Sequence, residues 1–285
     1  MKAAIAMGAA LVVAAMAQVE KPPEPSVEKP ALQNSGKPML VDFHCAEDDI
    51  RLAGLSCTVE DPCPVFLELD AVEAVGNRIF LAGNIHTATT TLYSMLLASE
   101  DGGKTWHEPH ERIRAAGLDR IQFIDFETGW ISGGLLHPLP HDPFFLVTSN
   151  GGQTWQSQQV FGEPQFGSIL QFSFSSRTNG SMMVDRGRGG DSGRYALYET
   201  PNGGDTWMLR QTNERLIPLK RVSGSPNADW RLRADAGSKA YRIERRAGDG
   251  WRNIGSFLVS LGGCRPPDPP APAVESTAPA EPGAP

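Results

Sequence analysis

Three copies of one short pattern punctuate the chain: SEDGGKTW ending at Trp106, TSNGGQTW at Trp155 and TPNGGDTW at Trp207, at intervals of 49 and 52 residues. Runs of alternating apolar and polar residues fill the intervals, and a period of roughly forty to fifty residues with strand-like contents marks propeller blades. The sequence therefore predicts an all-β fold, a small β-propeller of about four and at most five four-stranded blades, flanked by disordered Pro-rich ends. A fourth, eroded unit, RRAGDGW, ends at Trp251 after a further 44 residues. It keeps Gly248 but has Ala247 and Gly250 where the other copies have Gly and Thr.

Each unit divides into four strand candidates. The first reads LELDAVEAV, RIFLAGNI, LYSMLLAS and TWHEP. In the second, DRIQFIDFETGWISGG supplies two strands around a polar turn, PFFLVTSN the third and TWQSQQVF the fourth. SILQFSFS, GSMMVD, YALYET and TWMLRQ form the third unit, and LIPLKRVS, DWRLRAD, KAYRIERR and WRNIGSFLVS the last.

The ends have a different character. Lys2 followed by the apolar run Ala3–Ala17, with an A-x-A site at Ala15, Met16 and Ala17, reads as a signal peptide over residues 1–17, cut before Gln18. The run is short for a membrane span, which needs about 20 residues, and past it no other stretch is long and apolar enough, so no integral span is expected after cleavage. Residues 18–38 and 265–285 are rich in Pro, Ala and Glu and read as a disordered linker and tail, because such chains bury too little apolar surface to offset ordering entropy. The folded domain is then expected over residues 39–264, in a secreted or periplasmic protein. A net charge of −7 argues against nucleic acid as a partner of the whole chain.

Four cysteines, Cys45, Cys57, Cys63 and Cys264, form an even set in an oxidising compartment. Of three possible connectivities, the favoured one pairs Cys57 with Cys63 across a short loop and Cys45 with Cys264, tying the first ordered residues to the last. No C-x2-C pair stands at a spacing that favours zinc.

The repeated motif needs its residue types for structural reasons. Asp101, Asn150 and Asn202 are expected to accept hydrogen bonds from backbone N–H groups two residues on. Gly102, Gly103, Gly151, Gly152, Gly203 and Gly204 supply positive φ. The Thr opens the next strand, and Trp106, Trp155 and Trp207 offer large rings for packing.

These motifs resemble the Asp-box, or BNR repeat, of sialidases, sortilin-type receptors and photosystem II stability and assembly factors. The resemblance covers Leu67 to about Trp251, and the run FIDFETGWISG before the second copy is most similar to the assembly-factor group. It implies a structural turn on the blade periphery, remote from a binding face. The visible unit count is smaller than the six or more usual in those relatives, so the ring is expected to be small, open, or completed by residues 39–66.

A sialidase-like reading would imply an arginine triad, a general acid and a Tyr–Glu pair. The R-I-P signature is missing, ERLIP at Glu214–Pro218 is a chance echo, and Tyr93, Tyr195, Tyr198 and Tyr241 fall in expected strands. Prolines beside His107, His110, His137 and His141 prevent a regular helical metal face. DRGRGGDSGR, Asp185–Arg194, lacks the P-loop lysine and reads as a hairpin tip with exposed Arg186, Arg188 and Arg194.

Charge is segregated. Asp42–Glu73 holds nine acidic residues against one basic, a net of −8, and Arg210–Arg252 holds eleven basic against five acidic, a net of +6. The opposite charges would help the chain ends meet, or Arg231, Arg233, Arg242, Arg245 and Arg246 would form a patch for an acidic partner. Alternate strand residues share a face, so Arg231 and Arg233 should project together. The expected function is a non-catalytic protein-binding or assembly scaffold whose partner is another envelope or extracellular protein, without cofactor or metal. The alternative is a glycan-active enzyme or lectin of sialidase-like type.

Overall fold

A computed structural model of the chain describes residues 30–187, 193–219 and 229–266. The expected signal peptide, residues 18–29 of the expected linker, residues 267–285 and the second half of the LIPLKRVS strand lie outside the described residues. The described strands begin with β1 (Leu32–Gln33), β2 (Cys63–Val75), β3 (Arg78–His86), β4 (Thr91–Ser99) and β5 (Thr105–Trp106), with the short helix α1 (Glu47–Leu52) before β2. Next come β6 (Ala116–Phe123), β7 (Gly129–Leu135), β8 (His141–Thr148), β9 (Gln156–Gln159), β10 (Ser168–Phe174), β11 (Gly180–Asp185), β12 (Tyr195–Thr200) and β13 (Met208–Asn213). The last are β14 (Trp230–Asp235), β15 (Ala240–Ala247), β16 (Gly250–Leu258) and β17 (Ser260–Cys264).

These strands make a small all-β propeller. Sheet one has the order β17-β2-β3-β4, sheet two β6-β7-β8-β9, sheet three β10-β11-β12-β13 and sheet four β14-β15-β16. Neighbouring strands in each sheet run antiparallel, as consecutive strands joined by short turns do. Between β2 and β3 the loop is only Gly76 and Asn77, and Gly76 adopts φ 65° to close it. A bulge at Leu69/Ala71 brings the Glu68 carbonyl against Gly83, where an added Cβ would lie 1.9 Å from that oxygen.

Apolar side chains bind the sheets face to face. Val65, Leu67, Leu69 and Trp106 of the first unit pack with Ile243 and Phe257 of sheet four. Phe80, Ala82 and Leu96 of sheet one meet Leu118, Phe123, Leu146 and Trp155 of the second unit. Trp130 and Phe145 of sheet two meet Phe174, Met182 and Tyr198 of sheet three. Each such side chain, once buried, contributes about 1.5–3 kcal/mol. The sheets thus follow one another in the order four, one, two, three, and among the described residues no apolar cluster joins sheet three to sheet four.

The seam between sheets four and one is made by both ends of the chain. After β16 the chain crosses into sheet one, where β17 pairs with β2 and sets Cys264 opposite Cys63. In return Met39 bridges sheet four in parallel with Phe257: its N–H donates to the Ser256 carbonyl at 2.8 Å, and its carbonyl accepts from Leu258 at 2.9 Å. Cys45 is bonded to Cys264 and Cys57 to Cys63, with Cα–Cα distances of 5.1 and 5.2 Å.

Two expectations are corrected. TWHEP gives only β5, which pairs with β1 and touches β4 through the bridge Ala98↔His107, so the fourth strand of sheet one is β17. Ordered chain also begins before Met39, inside the expected linker. The Asn34 side-chain amide donates to the Gly103 carbonyl at 2.8 Å and the Ile254 carbonyl at 2.7 Å, and Leu32 packs on the first core, which fixes β1 in place.

The bridges span very different lengths, 219 and 6 residues. In the chain-entropy model the long one restricts the unfolded chain by about 5 kcal/mol and the short one by about 2 kcal/mol. Replacing Cys45 and Cys264 by Ala should therefore lower the melting temperature clearly more than replacing Cys57 and Cys63, as read by calorimetry. Equal shifts would show that the long bridge does not hold the seam.

Candidate functional site

The three complete repeat turns share one hydrogen-bond scheme. In the first, the Ser99 hydroxyl donates to Asp101 Oδ1 at 2.9 Å and accepts the Gly103 N–H at 2.8 Å. Asp101 Oδ1 also accepts from the N–H groups of Lys104 and Thr105, each at 2.9 Å, and Oδ2 accepts from the Thr105 hydroxyl at 2.8 Å. Thr148 with Asn150 and Thr200 with Asn202 repeat this, each hydroxyl accepting from Gly152 or Gly204 at 2.9 Å. Asp101 therefore reaches backbone three and four residues on, and Asn150 and Asn202 four residues on, not two as expected, because the buried hydroxyl two positions before each takes the Gly N–H in between. That hydroxyl was the part that sequence reasoning missed, although its presence in all three copies was the available signal.

Each turn docks on the preceding sheet in the spatial order. A Cβ on Gly152 would lie 2.4 Å from the Phe80 ring, and one on Gly103 2.6 Å from Ile254 of sheet four. Trp155 meets Phe80 edge-on at 5.9 Å between ring centres, Trp106 meets Phe257 at 5.3 Å, and Trp207 stacks on Phe145 at 5.6 Å. The indole N–H of Trp106 donates to the Gly103 carbonyl and that of Trp155 to the Gly152 carbonyl, each at 3.1 Å, whereas among the described residues the buried Nε1 of Trp207 has no partner.

The fourth unit departs from this scheme at the positions that matter. Counting back from Trp251, Arg246 occupies the Asp/Asn place and Glu244 the hydroxyl place. Trp251 is 37% exposed, against 0% for Trp106 and 6% for Trp155, and the Arg231 guanidinium lies 4.1 Å from its ring centre. Strand register sets Arg231, Arg233, Arg242, Arg246 and Trp251 on one face of sheet four. Arg245 is on the opposite face beside Leu232 and Ile243, 5.5 Å from the Trp230 ring centre, so the structure gathers four of the five expected arginines. On the shared face Arg231 pairs with Glu244 at 2.6 Å and Arg242 with Asp235; among the described residues Arg233 and Arg246 have no carboxylate partner.

These pairs stay within the basic segment. Among the described residues no salt bridge joins it to Asp42–Glu73, although sheet four packs on β2. Other candidates are placed as follows. The Tyr93 hydroxyl donates to Asp49 at 2.5 Å, and Arg114 pairs with the same carboxylate at 2.9 Å. Tyr198 packs on Phe161, and Tyr195 lies under Arg194. Arg194, expected to be exposed, is half-buried and held by Asp185 at 2.6 and 2.9 Å; Arg188 lies outside the described residues. His110 and His141 bond neighbouring carbonyls, and His137 bonds the Thr90 hydroxyl. Among the described residues no group of three or more His, Cys, Asp or Glu side chains could hold a metal ion. Among them, too, no helix is long and apolar enough to cross a membrane.

No family model matches the chain, and no curated protein matches it. Solved structures similar to it include YCF48 bound to D1 peptide, at 19% identity over 67% of this chain and 56% of that one, with a TM-score of 0.40. YCF48 from Cyanidioschyzon merolae has the same identity and coverage with a TM-score of 0.33. A GH74 xyloglucanase from Xanthomonas campestris is 13% identical over 65% of this chain and 29% of its own, with a TM-score of 0.32. The chain thus spans little more than half the length of the YCF48 structures it matches.

Asp101 makes the repeat turn sensitive to acid. Burial opposes its charge, but hydrogen bonds from Thr105, Ser99 and Lys104 outweigh that and hold the carboxyl at about 2. A carboxyl depressed below its unfolded value of about 3.9 stabilises the fold above that pH and loses the contribution as pH falls toward 2. Asp101→Asn, which installs the residue found at 150 and 202, should fold and should show a shallower loss of melting temperature between about pH 4 and 2. An unchanged acid profile would mean that Asp101 does not bear that dependence.

Proposed function

We propose that the chain is a non-catalytic protein-binding scaffold of the Asp-box type, acting in the periplasm or outside the cell. Its binding surface is the uncovered face of sheet four. The observation that carries this reading is the departure of the fourth unit from the other three. Where they pack a tryptophan against the preceding sheet, this unit presents Trp251 half-exposed among Arg231, Arg233, Arg242 and Arg246. An aromatic ring with unneutralised arginines suits an acidic protein partner, since arginine combines planar hydrogen bonding with stacking and is enriched with tryptophan at binding hot spots. Two disulfides fit an oxidising compartment.

Arg233 and Arg246 separate binding from folding, because neither supports a carboxylate within the sheet. Arg233→Glu with Arg246→Glu should leave the melting temperature within a few degrees of wild type. The same variant should lose, by about tenfold or more, the envelope proteins captured from native extract and read by mass spectrometry, as expected when about 1.4 kcal/mol of binding is removed. Unchanged capture by a folded double variant would overturn the reading, and enrichment of sugars in place of proteins would favour the glycan-active alternative.

A further inference from the structure

The two disulfides meet at the seam. Cys63 opens β2 and Cys264 closes β17, and the two are direct cross-strand partners in the antiparallel register. Residues so placed put their side chains on one face of the sheet, with Cβ atoms about 4.5–5.5 Å apart. Each of the pair is bonded elsewhere, Cys63 to Cys57 and Cys264 to Cys45, and all four cysteines pack in the first apolar core. The Cα spacing of such a strand pair, about 4.5–5.5 Å, lies inside the range of about 4.4–6.8 Å that a disulfide accepts. Cys63 and Cys264 are therefore placed to bond each other in exchange for the partners they hold.

Access differs among the four. Cys264 is 0% exposed and Cys57 7%, whereas Cys63 is half-buried and lines a surface cleft of about 180 Å³ with Ser56, Asp61, Thr87 and Thr89. A thiol arriving from solvent through this cleft meets the short bridge at Cys63, while Cys264 is closed to it. The cleft is smaller than the roughly 300 Å³ at which pockets for drug-sized ligands begin, so it suits a low-mass thiol.

We propose that Cys63 is a thiol–disulfide exchange site that accepts reduction from a low-mass thiol, trades Cys57 for Cys264 and so unhooks Cys45. In the first step two thiols become one disulfide, and Cys57 and Cys63 receive the two electrons and two protons. In the second, Cys63 loses its proton and its thiolate attacks the Cys264 sulfur. The Cys63–Cys264 bond forms, the Cys45–Cys264 bond breaks, and Cys45 leaves as a thiolate that takes up a proton. This step consumes no electrons. Its product still ties β2 to β17, but the segment from Met39 to α1 is no longer bonded to the closing strand. The Met39 hydrogen bonds to Ser256 and Leu258 then lack a covalent tie beside them. The exchange involves neither the arginine face nor its partner and stands without them.

Cys57→Ala tests the exchange directly, since it leaves the Cys63 thiol and the long bridge in one chain. The variant is purified in acid, brought to about pH 8, quenched in acid, blocked with a maleimide and mapped by peptide mass spectrometry. A Cys63–Cys264 peptide should appear, with the blocking label moving from Cys63 to Cys45. The rate of that transfer should rise about tenfold per pH unit below about pH 8.5, because only the thiolate attacks. In wild-type protein an equimolar amount of dithiothreitol should free Cys57 and Cys45 while Cys63 and Cys264 stay bonded, and this arm holds even where the variant does not fold. Label confined to Cys63 in the variant, Cys45–Cys63 as its main product, or wild-type label on Cys57 and Cys63 alone would overturn the proposal.

Discussion

A buried hydroxyl shared between a carboxylate or amide oxygen and a glycine N–H is the interaction on which the rest of this structure depends. Ser99, Thr148 and Thr200 are 0–3% exposed, and each would leave polar backbone stranded inside the protein if it were lost. With the hydroxyl in place, the chain folds tightly enough that the second glycine of each motif presents only hydrogen toward the neighbouring sheet. That close approach lets Phe80 or Ile254 lie against the turn and brings the tryptophan onto its aromatic partner. A local hydrogen-bond device thus sets the distance between sheets.

Where the device is missing, the fold relies on other means. Sheet four has no hydroxyl or Asp/Asn at the equivalent places, and its junction with sheet one is made by strand exchange: β17 joins sheet one, and Met39 joins sheet four. The Cys45–Cys264 bond then fixes both exchanged ends at once. The same loss leaves Trp251 outside the core and gives sheet four a charged outer face. Surface that a regular blade would use for packing is exposed there.

The period and strand alternation made the propeller and most strand positions legible, because each blade must alternate buried and exposed residues. The shared disulfide geometry was one of three arrangements that the sequence allowed. What could not be read came from contacts distant in sequence. β5 is drawn to β1 by Asn34, whose partners are 69 and 220 residues away, and nothing local in TWHEP announces it. Arg245 looked equivalent to Arg246 in a basic run, yet strand pairing puts the two on opposite faces.

The central claim, that each repeat turn is a dock for the preceding sheet, is tested most directly by double-mutant cycles. Phe80→Ala and Trp155→Ala should couple by about 0.5–1.5 kcal/mol or more in unfolding free energy, since each loses part of its packing when the other is removed. The exposed pair Arg231→Ala and Trp251→Ala should couple by less. Additive effects for Phe80 and Trp155 would contradict the docking role of the turn.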